Sequence, residues 1–387
     1  MKNYKACISK FLVFLILLGF LGGFSSPRSL GAVMVNVNPP CKSAILMEGI
    51  SGKVLFEKDA DLKLPPASIT KVMSLLLVME AMEDGRFNLN DKVTASAHAV
   101  SMGGSQIWLK ENEQMTVEEL LKAAAISSAN DATVALAELV AGSEEGFVKL
   151  MNEKAEELNM KNTVFQNATG LDAENHYSTA RDIAIMGNAL LAHEEIKDYS
   201  TVWMDELRQG KTQLVNTNKL IRFYKGATGL KTGTTDGAGS CLCATATRNN
   251  LPLIAVTMGS DTSDNRFNSA RGLLDYGFSN FEAAEVPMPP PLEPLKVTGG
   301  LNRHVGVKDS APPFMLLEKG TPKEFKTIVK AEETLTAPVA ENQKIGRVKI
   351  LQEGVVITEY DLLTSYPVEK ITFKKALKPV IFAIFCM

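Results

Sequence analysis

The chain has 387 residues, of which 45% are hydrophobic and 22% are charged. This composition is that of a globular protein, and the length suggests one large domain with a smaller one. The formal net charge of −3 gives no support to a nucleic-acid-binding protein, which would carry a strong basic excess. Four histidines, without an H-E-x-x-H or C-x-x-C arrangement, give little support to a zinc site.

The N-terminal segment has the pattern of a secretory signal peptide. Three lysines precede an apolar run at residues 11–23, and small residues follow up to Gly31 and Ala32. The run of about 13 residues is shorter than the roughly 20 that a membrane-spanning helix needs. We therefore predict a cleaved signal peptide over residues 1–31 and an exported protein.

The next elements are predicted to be a hairpin and then a block of helices. Two apolar runs flank a turn at residues 49–52, which indicates the hairpin. The first helix is predicted to begin at Ser68 and to end near Gly85. The later helices are predicted at residues 116–126 with a Thr116–Glu119 capping box, at 131–142 with Asp131 as the cap, at 143–159 and at 178–193.

From Gly229 onward the pattern changes to strands, at residues 229–235, 240–248 and 251–260. Strands at both ends of the region, with the helices between them, predict an α+β domain over residues 32–283. Cys241 and Cys243 point to one face of such a strand, and a disulfide between them would be strained. We interpret them as small buried side chains and predict no disulfide framework.

The C-terminal third is predicted to contain three segments. A proline-rich linker spans residues 284–294, and short apolar stretches alternating with turns predict a small all-β, sandwich-like domain over residues 295–368. The tail, residues 369–387, joins a lysine-rich flank to an apolar end that is too short to span a bilayer. We predict that it contacts a membrane surface, with packing on the β domain as the alternative, although Pro379 weakens a continuous helix.

Ser68 and Lys71 have two interpretations. Serine is a preferred N-cap, so Ser68 could simply begin a helix. Residues three apart on a helix lie on one face, however, so Lys71 could act as the base for a nucleophilic Ser68. Unpaired backbone N–H groups at the first helical turn would then stabilise an oxyanion. A lysine with its ordinary pKa near 10.4 is a poor base, so this interpretation requires burial or a second cation.

Lys231 is the candidate for the second cation. Gly233 faces the same way on the predicted strand and has no side chain to block a ligand. If this is an edge strand, its backbone groups could bind an extended peptide, and the Thr234 N–H could be a second oxyanion donor. Ser128 and Asn130 lie in a predicted turn, where capping of the next helix is the alternative role for Asn130.

Three short motifs therefore occur in one order along the chain. They are S-x-x-K at Ser68 and Lys71, S-x-N at Ser128 and Asn130, and K-T-G at Lys231, Thr232 and Gly233. With the surrounding stretches PPASITKVM, ISSANDA, NATGLD and GLKTGTT, they resemble the penicillin-recognising serine enzymes. The resemblance is to the low-molecular-mass D-alanyl-D-alanine carboxypeptidases, peptidase family S11, and runs from about residue 40 to residue 283.

The resemblance implies a serine β-lactamase/transpeptidase-like fold and an acyl-enzyme reaction. Ser68 would attack the carbonyl between two D-alanines at the end of a peptidoglycan pentapeptide, and Lys71 would take its proton. Ser128 would relay a proton to the leaving amine, and Asn130 would hold the substrate amide. Lys231 would bind the terminal carboxylate and lower the pKa of Lys71.

The resemblance also implies the remaining features of the site. The N–H groups of Ser68 and Thr234 would form the oxyanion hole, and β-lactams would be inhibitors. Strand alternation places Thr232 and Thr234 opposite Lys231, which leaves the roles of their hydroxyls open. No metal or organic cofactor is implied. The enzyme would act at the extracytoplasmic face of the bacterial cell membrane or in the cell wall, with the tail on the outer face of the cell membrane.

Other functions occur on the same fold and would leave different marks in the sequence. A class A β-lactamase would have a glutamate in E-x-x-L-N, where this chain has Ala155. A D,D-transpeptidase would pass the acyl group to an amine, which the motifs do not separate from hydrolysis. A silent penicillin-binding sensor would show a broken motif, and none is broken. His176 lies near the predicted site, where we interpret it as structural.

Overall fold

The computed structural model describes residues 37–373 and Lys375. The predicted signal peptide, residues 1–31, and most of the predicted tail lie outside the described residues. Among residues 37–373 there is no helix with the length and apolar character needed to cross a bilayer.

The N-terminal two thirds of the described chain combine strands and helices. The strands are β1 (Ser43–Glu48), β2 (Val54–Lys58), β3 (Lys92–Thr94), β4 (Gln114–Thr116), β5 (Met204–Leu207), β6 (Thr212–Val215), β7 (Ala227–Thr235), β8 (Gly239–Arg248) and β9 (Leu251–Ser260). The helices are α1 (Lys71–Glu83), α2 (Ala97–Val100), α3 (Val117–Ile126), α4 (Asn130–Ala141), α5 (Glu144–Glu157), α6 (Ala180–Leu191), α7 (Lys197–Ser200), α8 (Leu220–Phe223) and α9 (Ser263–Asn280).

A five-stranded antiparallel sheet with the order β2-β1-β9-β8-β7 forms the centre of this part. The hairpin β1-β2 joins the later strands β7-β9 in one sheet because β1 pairs with β9, with Ile45 opposite Val256. Strand β7, which carries the K-T-G motif, lies at the edge of the sheet, as the peptide-binding hypothesis requires.

Each face of the sheet has its own hydrophobic core. Ile45 and Val256 pack with the helical block, and α1 is buried on nearly all sides because apolar residues surround its axis. The neighbouring positions Leu46 and Leu253 point to the opposite face, where α9 covers them. Cys241 and Cys243 are buried free thiols on the helical-block face, as interpreted from the sequence.

Two predicted helix starts need correction. The helix expected from Ser68 begins as a 3-10 turn, Ala67–Thr70, and Ser68 provides no capping hydrogen bond to it. Asp131 does not cap α4. This helix begins at Asn130, and its N-cap residue, Ala129, provides no side-chain hydrogen bond. The Asp131 carboxylate instead binds backbone N–H groups of a preceding loop, a tertiary contact that the local pattern cannot show. The predicted Thr116–Glu119 capping box is present.

The C-terminal third is a small all-β domain with its own core. Its strands are β10 (Phe281–Glu285), β11 (Leu295–Thr298), β12 (His304–Val305), β13 (Val307–Asp309), β14 (Phe314–Glu318), β15 (Lys326–Ala331), β16 (Thr334–Thr336), β17 (Lys344–Gln352) and β18 (Val355–Thr364). A four-stranded sheet, β13-β18-β17-β15, and a three-stranded sheet, β12-β11-β16, bury Val348, Leu362 and Val297 in one cluster. The α+β class followed by an all-β domain is thus confirmed, while the exact domain boundaries stay predictions.

Candidate active site

Ser68 and Lys71 are in direct contact at the start of α1. The Lys71 Nζ lies 3.1 Å from the Ser68 Oγ, because three residues of 3-10 turn and helix bring both side chains to one face. Nζ also lies 2.5 Å from Asn130 Oδ1 and 2.7 Å from the carbonyl oxygen of Thr169. The Lys71 side chain is fully buried, with 0% exposure.

The protonation state of Lys71 follows from this environment. Burial first, and the positive charge of Lys231 second, hold the pKa of Lys71 well below its usual range, while Asp131 opposes the shift. A neutral amine has two N–H bonds and one lone pair. When the two bonds are donated to Asn130 and Thr169, the lone pair faces the Ser68 hydroxyl. The geometry therefore suits removal of a proton from Ser68.

Lys231 lies on the edge strand β7 and is only 1% exposed. Its Nζ donates to the carbonyl oxygen of Thr232 at 3.3 Å. Burial and the nearby charge of Arg266 lower the pKa of Lys231 to about 7. A bound carboxylate would favour the charged form of Lys231, so the cation is stabilised when an anionic group occupies the site.

Gly233 allows β7 to approach the turn that carries Ser68. A Cβ atom at residue 233 would lie 2.8 Å from the carbonyl oxygen of Pro66 and 2.9 Å from the Cβ of Ala67. Real Cβ atoms do not tolerate such contacts, so any larger residue would move the strand or the turn. The missing side chain is therefore needed for packing at the site, beside the role in ligand access expected from the sequence.

Thr232 and Thr234 of β7 face away from Lys231, as strand alternation predicts. Lys231 pairs with Cys243 on the helical-block side, while Thr232 pairs with Leu242, which packs towards α9. The Thr232 hydroxyl donates to Thr217 Oγ1 at 2.7 Å. The Thr234 hydroxyl donates to the carbonyl oxygen of Gly233 at 2.8 Å.

Ser128 lies in the short connection between α3 and α4, and Asn130 is the first residue of α4. Ser128 is buried and has a φ of +66°, a region that residues other than glycine occupy rarely. Within the described residues, its hydroxyl forms no hydrogen bond with Ser68 or Lys71. Asn130 Nδ2 donates to the carbonyl oxygen of Gly103 at 2.6 Å. The structure thus brings both Ser68 and Asn130 into contact with Lys71. Ser128 is not part of this set of hydrogen bonds among the described residues.

Several residues of the site were not identified from the sequence. The Thr169 carbonyl binds Lys71, but a backbone acceptor leaves no side-chain signal. Arg266 of α9 donates to the carbonyl oxygen of Gly233 at 3.0 Å and to Thr234 Oγ1 at 2.7 Å. A signal for Arg266 did exist: it shares the buried face of α9 with Ala270 and Leu273, and a charge on an apolar stripe requires a partner.

His176 contacts the turn that carries Ser68, through Thr70, and does not contact Lys71. Its Nδ1 accepts the Gln166 N–H at 3.2 Å, so the ring proton lies on Nε2, which donates to Thr70 Oγ1 at 2.9 Å. The ring also packs edge-on against Phe165. These contacts fit the structural role interpreted from the sequence, because they fix the 165–176 segment against the Ser68 turn.

The His176 contacts predict a dependence of stability on pH. Burial lowers the pKa of His176 to about 4, whereas the unfolded chain has a value near 6.5. As pH falls below 6.5 the unfolded chain binds the proton first, so about 3 kcal/mol of unfolding free energy is lost by pH 4. The free energies of unfolding of wild type and His176→Gln are measured in urea at pH 7 and pH 4. The difference between the two proteins should be smaller at pH 4 than at pH 7 by this amount. Parallel stability curves would contradict the assignment.

Two family models match the chain, and it is similar to known proteins. The D-alanyl-D-alanine carboxypeptidase family model matches residues 35–262, and a model described as penicillin-binding protein 5, C-terminal domain, matches residues 291–370. D-alanyl-D-alanine carboxypeptidase DacF of Bacillus subtilis is 40% identical to this chain over 97% of both sequences.

Solved structures give the same result. Penicillin-binding protein 5 of Haemophilus influenzae superposes with a TM-score of 0.73 at 32% identity, covering 86% of this chain and 98% of its own. Penicillin-binding protein D2 of Listeria monocytogenes, in an ampicillin-bound form, superposes with a TM-score of 0.58 at 29% identity, covering 63% and 99%. The chain belongs to the D-alanyl-D-alanine carboxypeptidase family, peptidase S11.

Proposed function

We propose that this protein is a serine-type D,D-carboxypeptidase that removes the terminal D-alanine from peptidoglycan stem peptides. The observation that carries the proposal is the buried Lys71 amine, whose Nζ lies 3.1 Å from the Ser68 Oγ. Membership of a family named for this reaction supports it. The Lys71 environment explains how an alcohol can become a nucleophile at neutral pH without a histidine.

Acylation begins with attack of Ser68 Oγ on the carbonyl carbon of the penultimate D-alanine. The hydroxyl proton passes to Lys71 Nζ as the new C–O bond forms. The N–H groups of Ser68 and Thr234 stabilise the resulting oxyanion. The proton held by Lys71 then passes through the Ser128 hydroxyl to the departing amine, the C–N bond breaks, and D-alanine leaves. Water then cleaves the ester, which releases the shortened peptide and restores Ser68.

The substrate is held as an additional strand along β7. An edge strand has unpaired backbone groups that bind an extended peptide. Asn130 Nδ2 has a second N–H bond for the substrate amide, because an amide nitrogen donates two and Gly103 takes only one. Lys231 supplies the charge for the terminal carboxylate, with Thr232 and Gly233 as the adjoining strand positions.

The proposal extends to β-lactams and to location. A β-lactam presents a strained amide to Ser68, and the Listeria relative was solved with ampicillin bound. The substrate lies outside the cytoplasm, which agrees with the signal peptide predicted for residues 1–31. The lysine-rich tail, residues 369–387, is proposed to rest on the outer face of the membrane, on the basis of its sequence alone.

The decisive experiment measures D-alanine released from a pentapeptide ending in D-Ala-D-Ala, with penicillin G and an added amine acceptor tested separately. We expect release of D-alanine and a slowly hydrolysed penicillin adduct. Rapid penicillin turnover without D-alanine release would indicate a β-lactamase. Transfer of the acyl group to the amine in preference to water would indicate a transpeptidase. Binding of penicillin without turnover of either substrate would indicate a penicillin-binding sensor.

A further inference from the structure

We infer that Trp108 forms a binding subsite for the part of the stem peptide that precedes the terminal D-alanines, an inference that rests on the proposed function. The Trp108 side chain is 74% exposed, although its neighbours Ile107 and Leu109 are buried. Its φ of +58° lies in the left-handed region, which a bulky side chain rarely adopts. An exposed indole on strained backbone contributes little to the folded core and needs another explanation.

The backbone around Trp108 is fixed from two sides. The N–H groups of Ile107 and Leu109 donate to the two carboxylate oxygens of the fully buried Asp131, at 3.2 and 3.0 Å. The carbonyl oxygen of Ile107 accepts from Arg208 Nη1 at 2.8 Å, and the Arg208 Nε also lies 2.6 Å from a Glu113 carboxylate oxygen. Strain that is enforced in this way is concentrated at functional sites.

The same loop is bonded to the candidate active site. The backbone N–H of Asn130 donates to the carbonyl oxygen of Ser105 at 2.7 Å, and its side chain donates to that of Gly103. Asp131, which follows Asn130, then holds the residues on both sides of Trp108. A single turn of α4 therefore fixes both the proposed amide-binding group and the exposed indole.

The distance along the loop favours the peptide over the sugar as the occupant. Trp108 is three residues beyond Ser105, and three residues of extended chain cover at most roughly 10 Å. A pentapeptide bound with its fourth residue at Asn130 has three residues left before the sugar, which span the same length. An indole face binds aliphatic chains and ammonium groups well, and both occur in peptide side chains.

The test compares three substrates in wild type, Trp108→Ala and Trp108→Phe. The substrates are N-acetyl-D-Ala-D-Ala, a sugar-free pentapeptide, and the same pentapeptide on its disaccharide. For Trp108→Ala we expect the ratio of kcat/KM for the sugar-free pentapeptide to that for the blocked dipeptide to fall about tenfold. Trp108→Phe should keep most of the ratio, and the disaccharide should add no further loss.

Other outcomes would overturn the inference. An equal loss on all three substrates would mean that Trp108 only supports the fold of the site, and a loss confined to the disaccharide substrate would assign the indole to the sugar. Wild-type release of D-alanine from the dipeptide tests the proposed function separately. The chain has two tryptophans, so emission can report binding: pentapeptide should change it in Ser68→Ala but not in Ser68→Ala with Trp108→Phe.

Discussion

Replacing Ser68 by alanine is expected to abolish release of D-alanine while leaving the fold intact. Loss of a serine nucleophile removes the covalent route altogether, so we expect kcat to fall by at least about 10³-fold. With the residues that the structure describes, the Ser68 hydroxyl forms no capping bond and one hydrogen bond, to Lys71, so the free energy of unfolding should change by about 1 kcal/mol or less. D-alanine release and urea unfolding of the same preparation measure both effects.

Ser74→Ala is the matched control, because Ser74 is a serine of α1, six residues after Ser68, with a different role. Its hydroxyl donates to the carbonyl oxygen of Ala168 at 2.6 Å in a buried position. The change should cost about 1–3 kcal/mol, because that carbonyl loses its partner, and yet leave the penicillin adduct in place. A Ser68→Ala protein that still formed the adduct would contradict the assignment of Ser68 as the nucleophile. One that lost more stability than Ser74→Ala would show that Ser68 also supports the fold.

The parts of the site that the sequence revealed are those fixed by local periodicity. The i, i+3 spacing places Lys71 against Ser68 whether the turn is 3-10 or α. The predicted contact is therefore present although the α-helix begins three residues later than predicted. The alternation along β7 likewise separates Lys231 from Thr232 without any tertiary information. In both cases the backbone repeat alone determines which side chains share a face.

The parts that the sequence did not reveal depend on contacts between distant segments. Asp131 follows an Asn in front of an apolar run, which is a capping pattern, but its carboxylate is taken by the 107–109 loop. Gly170, in the NATGLD stretch, also permits a contact between segments that are distant in the sequence. A Cβ there would lie 1.8 Å from the carbonyl oxygen of Ala67, so this glycine lets the Thr169 segment reach Lys71. Neither contact has a local period to predict it.

Replacing Lys71 is expected to stop acylation near neutral pH. Lys71→Ala removes the base, and Lys71→Arg supplies a cation without a lone pair, because a guanidinium stays protonated. We therefore expect both variants to form the penicillin adduct at least about 10³-fold more slowly than wild type. Adduct formation is measured with labelled penicillin at a fixed time after mixing. If Lys71→Arg reacted at the normal rate, Lys71 would be an electrostatic residue and not the base.

The charge of Lys231 provides the second half of this argument. Because burial and Lys231 together lower the pKa of Lys71, the ascending limb of the acylation rate against pH should lie well below the ordinary lysine value of about 10.4. In Lys231→Gln the cation is gone, so the pKa of Lys71 rises and the ascending limb moves to higher pH. Loss of carboxylate binding would lower the rate at every pH, but it would not move the limb. The position of the limb therefore separates the two roles of Lys231, and an unmoved limb would leave burial alone as the cause of the Lys71 shift.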